Sequence, residues 1–211
     1  MIEKGTISQE PFLGILKVLE EAEALNLVDW NAMNIATVDD KGQPSSRVVL
    51  LKKLSDEGLV FYTNYNSRKG SEIHLNNKVA VNFWWRELKK QIRIEGLISK
   101  ASKEDSDDYF DSRPIKSRVS AIISNQSSVI SSYEDLKKDI DEYLEKNDES
   151  SIKRPDHCGL YILVPHSVEF WLERDNRTHE RRKYFLDENG WNSCLLLSLI
   201  HISEPTRHTR I

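Results

Sequence analysis

The sequence predicts a mainly β fold of α+β character, in which helices lie peripheral to a barrel-like β core. Three observations predict it. Short segments rich in β-branched and aromatic residues follow one another, turn chemistry such as Asp40-Lys41-Gly42 and Asp56-Glu57-Gly58 separates them, and helical apolar spacing is confined mainly to the N-terminal stretch and the region after residue 100.

Phe12, Ile15, Leu16, Leu19 and Ala22 recur at helical spacing, so residues 9–26 are predicted as an amphipathic helix laying one face on the core. Asn34–Val38, Ser46–Leu54 and Leu59–Thr63 then read as an antiparallel meander. Asn66 and Ser67 can cap a short helix running to about Asn76. Val79–Trp85 and Gln91–Ser99 form a hairpin around Arg86-Glu87-Leu88-Lys89. Two short helices, 103–112 and 115–123, divide at Arg113-Pro114, because proline disfavours α geometry in the residue before it and suits a helix start. Tyr133, Leu136, Ile140, Tyr143 and Leu144 stripe one face of a longer helix with an acidic opposite side, and that face is expected to pack into the core. Gly159–Val164, Val168–Leu172 and Lys183–Leu186 complete the sheet. Residues 1–196 are expected to form one domain. The remainder, LSLIHISEPTRHTRI, joins no preceding period and reads as a translated transposon-type sequencing adapter, so residues 197–211 are expected to be non-native.

A formal charge of -4 argues against a nucleic-acid binder, which usually carries a basic excess on one face. The basic residues are instead local, at Arg47, Lys52, Lys53, Arg68 and Lys69 and again from Arg174 to Lys183, which suits small phosphorylated ligands. No stretch resembles a bilayer span and the N-terminus shows no secretory pattern, so a cytoplasmic protein is expected. Cys158 and Cys194 are too few and isolated for a disulfide framework or a zinc site.

GxGxxG, P-loop, HExxH and CxxC patterns are all absent, so any phosphate must be held mainly by side chains. Asn66-Ser67-Arg68-Lys69 combines a helix start, a planar guanidinium and a point charge. Arg47-Val48-Val49-Leu50-Leu51-Lys52 has cationic ends and a continuously apolar middle, so both faces of that middle are expected to be buried; a flat ring system with a phosphate tail would satisfy it, and so would a plain core strand. Tyr109 and Arg113 stand four apart on one predicted helical face with Ser117 in the next first turn, and Lys52 could complete an anion cradle. Arg177, His179 and Arg181 alternate, so an extended segment points all three cations one way, toward an anion or as a charged edge strand.

Taken in order, these pieces with Phe61-Tyr62-Thr63, Gln91, Tyr109-Phe-Asp-Ser-Arg113-Pro114, Ser124-Asn-Gln126-Ser127-Ser128, Glu169-Phe-Trp171 and Arg177-Thr-His179-Glu-Arg181 resemble the pyridoxamine 5'-phosphate oxidase family over roughly residues 10–192. The resemblance implies an FMN-binding split β-barrel and a homodimer with two flavins at the subunit interface. It implies an oxidase that converts pyridoxine or pyridoxamine 5'-phosphate to pyridoxal 5'-phosphate, passing hydride from C4' to flavin N5, with O2 as acceptor and H2O2 as by-product. By the same resemblance the FMN contacts are Arg47, Val48, Val49, Leu50, Leu51, Lys52, Tyr62, Thr63, Arg68, Lys69, Gln91, Gln126, Ser127, Trp171 and Arg181. The substrate contacts are Lys52, Tyr109, Arg113, Ser117, Arg177 and His179; the first four clamp the phosphate, while Arg177 and His179 act at the reacting end. Related alternatives are a split-barrel oxidase of a phenazine precursor and a non-catalytic carrier of FMN or pyridoxal phosphate. The chain departs from the family pattern ahead of Phe12, where a longer basic arm is expected, and after Trp191, where an arginine-leucine-proline finish is replaced.

Overall fold

The computed structural model describes residues 2–198; of the segment 197–211 that is expected to be non-native, 199–211 lie outside the described residues. In chain order the elements are β1 (Glu3–Lys4), α1 (Glu10–Ala24), β2 (Ala32–Val38), β3 (Pro44–Ser55), β4 (Gly58–Asn64), α2 (Arg68–Leu75), β5 (Lys78–Trp85) and β6 (Lys90–Lys100). They continue with α3 (Lys103–Asp111), α4 (Ile115–Ile123), α5 (Tyr133–Lys146), β7 (Cys158–Leu172), β8 (Glu180–Asp187) and β9 (Gly190–Leu195).

Strand pairing closes a ring. β3 pairs β2, β2 pairs β5, β5 pairs β6, β6 pairs β7, β7 pairs β4 and β4 returns to β3, all antiparallel. This is the FMN-binding split-barrel fold, a six-stranded antiparallel barrel with helices around it. β8 and β9 extend the sheet from the far half of β7, and short β1 joins β3 in parallel. Alternating side chains fill the interior, with Met33, Ile35, Leu51, Phe61, Phe83 and Ile92 fully buried. Closure leaves no free edge in the ring, and α1 seals one side with Phe12, Ile15, Leu19 and Ala22.

β7 reads as two strands in the sequence but is one of 15 residues. Its register with β6 shifts between Glu95 and Gly96, so a bulge bends the ladder without ending it. Gly96 is needed there, since a Cβ would come within 2.3 Å of the Val164 carbonyl oxygen. β9 and β1 carry no strong sequence signal; pairing with β8 and β3 makes them strands.

Two packing expectations are corrected. The α5 stripe does not enter the main core: Tyr133 is 78% exposed, and Ile140, Tyr143 and Leu144 pack on a separate small cluster of Phe110, Val119 and Ile152. Nor is the middle of β3 buried on both faces. Val49 and Leu51 point inward, whereas Val48 and Leu50 face outward and are exposed in a single chain. A closed barrel covers only its interior, so the outer face of β3 remains available to something else.

Candidate active site

Ser67 caps α2 by accepting the Gly70 N–H at 3.4 Å, and the first residues of that helix are Arg68 and Lys69. Lys69 folds back into the protein. Its ammonium donates to Thr63 Oγ1 at 2.8 Å, Gln126 Oε1 at 3.0 Å and Ser67 Oγ at 3.1 Å, all neutral acceptors. Burial, reinforced by the Arg47 charge, pulls its pKa down to about 8.

Arg47 and Arg68 are held by a residue the sequence reading missed. Glu72, buried on α2, accepts from Arg68 Nε at 2.7 Å, Ser45 Oγ at 2.7 Å and Arg47 Nη2 at 3.3 Å, and also from Thr37 Oγ1. Burial works to raise the Glu72 pKa, but the hydrogen bonds from Thr37, Ser45 and Arg68 prevail and hold it near 2. Its spacing of four from Arg68 on one helix was the available signal.

These groups open on a cavity of about 550 Å³ lined by Ser45, Ser46, Arg47, Val48, Val49, Tyr62, Thr63, Arg68, Lys69, Gln126 and Ser127. Nine of the expected cofactor contacts therefore meet here. Three cations face one carboxylate, leaving about two positive charges, the complement of a phosphate monoester. Leu51 is different: its side chain lies in the core, and its N–H and C=O are both bonded to Asn31.

The Lys69 geometry gives a pH prediction. Because its folded pKa of about 8 lies below the ordinary lysine value of 10.5, the unfolded chain binds the extra proton between those values. The group's contribution to stability of the ligand-free protein therefore rises across that window, while phosphate-ester affinity falls as pH passes 8. Melting and titration series against a Lys69→Met control check both signs; a wild-type difference that is flat across the window refutes the assignment.

The expected substrate contacts form an adjoining cluster. Arg113 lies just past the end of α3, not on its face as expected, since the helix stops at Asp111. Even so, its guanidinium sits 4.7 Å from the Tyr62 ring centroid, the Tyr109 ring meets the same ring at 5.1 Å in a tilted contact, and the Lys52 ammonium lies 6.0 Å from the Tyr109 centroid. Arg113 and Ser117 line a cavity of about 300 Å³ with Tyr62, Thr63, Gln126 and Cys158, and Lys52 and Tyr109 line another of about 320 Å³.

The remaining expected contacts gather elsewhere. Gln91 and Trp171 are cross-strand partners, Trp171 also pairs Arg181, and its ring lies 4.6 Å from that of His179. Arg177 is not part of an extended run: it ends a 3-10 turn, Asp175–Arg177, with φ at 59°. Arg181 is neutralised by Glu169 at 2.8 Å, which also takes Arg93 at 2.7 Å. The Arg174 N–H donates to His179 Nδ1 at 3.2 Å, so a neutral His179 carries its proton on Nε2.

One chain does not unite the two groups. Thr63 stands opposite Gly159 on β7, whereas Trp171 is twelve residues further along that strand, on the order of 40 Å if straight. Around the outer face, the ladder from Val48 through Asn34, Asn82 and Arg93 to Glu169 crosses about 19 Å.

Comparison with known proteins shows the family. Residues 19–147 match the family model "Pyridoxamine 5'-phosphate oxidase", and residues 159–198 match "Pyridoxine 5'-phosphate oxidase C-terminal dimerisation region". The chain belongs to the pyridoxamine 5'-phosphate oxidase family. Among relatives, a pyridoxine/pyridoxamine 5'-phosphate oxidase of Nostoc sp. is 45% identical over 186 residues, covering 88% of this chain and 87% of the relative. One from Cytophaga hutchinsonii is 47% identical, covering 82% of each. Among solved structures, PhzG from Burkholderia lata 383, in complex with tetrahydrophenazine-1-carboxylic acid, superposes with a TM-score of 0.85 at 28% identity, covering 90% of this chain and 93% of that one. A pyridoxamine 5'-phosphate oxidase-related, FMN binding protein of Nostoc punctiforme shares the fold, with a TM-score of 0.72 at 17% identity and coverage of 90% and 99%. Family membership makes the chain an oxidoreductase of this group. No helix among the described residues is long and apolar enough to cross a membrane.

Proposed function

We propose that the protein is a homodimeric, FMN-dependent oxidase of pyridoxine 5'-phosphate or pyridoxamine 5'-phosphate that yields pyridoxal 5'-phosphate. The observation that carries this is the pair of adjoining anion pockets sharing Tyr62, one around Lys69 and one around Arg113. The first fits the FMN phosphate: the buried Lys69 ammonium has only neutral partners, and the arginines on either side exceed the single carboxylate in charge. Exposed Val48, an outward apolar side chain beside Arg47, suits a flat ring.

FMN bound there supplies a two-electron acceptor for the C4' hydride and a route for those electrons to O2, giving hydrogen peroxide. The chain's residues do the rest. Lys52, Tyr109, Arg113 and Ser117 hold the substrate phosphate, and that remote binding fixes the reacting carbon in place. Gln91, Trp171 and Arg181 complete the cofactor site from the partner subunit, since they lie too far from Lys69 within one chain. Arg177 and His179 come with them and orient the ring and its C4' substituent. Outward-facing Val48, Leu50 and Trp84, at 65%, 38% and 49% exposure, supply apolar area for that pairing.

A second reading is favoured by the likeness to PhzG, that the substrate is a phenazine precursor. The Lys52, Tyr109 and Arg113 cluster favours a phosphate ester instead. The test is anaerobic mixing of FMN-loaded protein with pyridoxine 5'-phosphate, pyridoxamine 5'-phosphate or a reduced phenazine carboxylate. Loss of the flavin absorbance with a phosphate ester is expected; bleaching by the phenazine compound alone reverses the choice.

A further inference from the structure

We propose that Tyr62 is the positioning residue of the substrate anion pocket, its ring holding Arg113 and Tyr109 where they can grip a phosphate ester. This rests on the oxidase reading above and assigns a further role within that site. The Tyr62 side chain leaves β4 between two cavities and lines both. The Arg113 Cζ sits 4.7 Å from its centroid, and Tyr109 meets it at 5.1 Å with planes inclined by 39°. The Lys52 ammonium lies 6.0 Å from the Tyr109 centroid. Two of the four phosphate contacts, Arg113 and Tyr109, therefore rest on one ring.

Arg113 pairs with no carboxylate among the described residues, and its buried Nη1 has no hydrogen-bond partner. A guanidinium lying on a ring has lost its freedom to tilt, yet the edge it turns to the cavity still carries in-plane donors for an anion. That is what a clamp requires: fixed orientation without neutralisation. The Tyr62 hydroxyl is also buried without a partner, and burial pushes its pKa upward, so the phenol stays neutral and leaves the Arg113 charge intact. The ring face, not the hydroxyl, carries the role, so phenylalanine should substitute for it.

The experiment compares FMN-loaded wild type with Tyr62→Phe, Tyr62→Leu, Arg113→Ala and the Tyr62→Leu/Arg113→Ala double variant. KM and kcat are measured for pyridoxine 5'-phosphate, and Kd for pyridoxal 5'-phosphate by equilibrium titration. At saturating FMN, Tyr62→Leu should raise KM and Kd by about tenfold to thirtyfold, the range a desolvated cation–π contact supports. Tyr62→Phe should restore KM and Kd to within about threefold of wild type, and the losses of Tyr62→Leu and Arg113→Ala should combine in the double variant to clearly less than their product, since coupled residues do not add. If Tyr62→Leu does not fold, Tyr62→Met takes its place, flexible enough to refill the gap but without a ring face. Equal damage from Phe and Leu, or effects of Leu and Ala that multiply, overturns the inference. Wild type that holds FMN but neither oxidises the one compound nor binds the other overturns the functional reading and this inference with it. Turnover by wild type with an unchanged KM in Tyr62→Leu overturns the inference alone.

Discussion

Lys69→Met should weaken FMN binding by roughly 100-fold or more while leaving the ligand-free protein as stable as wild type or more so. The two directions follow from the same geometry. A charge-assisted hydrogen bond to phosphate contributes about 1.5–3 kcal/mol, and the loss of a buried cation removes at least one along with its Coulomb attraction. In the absence of a ligand, however, that ammonium is desolvated, faces only neutral oxygens and lies close enough to Arg47 to feel its charge. Methionine keeps the stem's packing and removes the desolvated charge. The acceptors can regroup, since Thr63 Oγ1 already lies 3.4 Å from Gln126 Oε1. Flavin fluorescence titration and melting without FMN measure the two effects. A large fall in the ligand-free melting temperature would show that Lys69 serves the fold and not the phosphate.

His179→Ala should slow anaerobic bleaching by pyridoxine 5'-phosphate about 100-fold with FMN still bound, and His179→Gln should recover to within about tenfold of wild type. Misplacing a reacting group by about 1 Å costs on the order of 100-fold, comparable with the loss of a general base, so the alanine variant alone does not separate the roles. The glutamine variant does. With Nδ1 engaged by the Arg174 N–H, His179 offers a donor at Nε2, and a glutamine amide supplies a donor of similar reach without being able to take up a proton. Glutamine as slow as alanine in stopped-flow bleaching would make His179 the base. Loss of flavin from either variant would instead place it in the cofactor site.

Much of the barrel was legible because the ring strands carry turn signals between them and alternate inward and outward. Ser67 could be read as a cap, and Arg68 and Lys69 as an anion site, from four consecutive residues. Less local features were hidden. Glu72 binds partners from β2, β3 and its own helix, and no pattern in the sequence joins Thr37, Ser45 and Glu72 before the barrel closes. The expected alternation of Arg177, His179 and Arg181 failed because the backbone turns at Asn176 and Arg177, both at positive φ, a conformation that asparagine tolerates but arginine seldom adopts. The outer face of β3 was misjudged for another reason: apolar residues look alike to a sequence reading whether they fill a core or await a partner.

The long β7 strand ties together regions that would otherwise be free to drift. Near its start it lies against Thr63 of the Lys69 cavity, and near its end it carries Glu169 and Trp171. Between them comes the offset opposite Gly96, and a one-residue slip in a ladder inverts every side chain beyond it. An insertion or deletion at that point would turn Glu169 and Trp171 away together, unhooking Arg181 and stripping the ring from His179 in a single event. Length changes in this lineage should therefore collect in the surface connections around α5 and spare the girder.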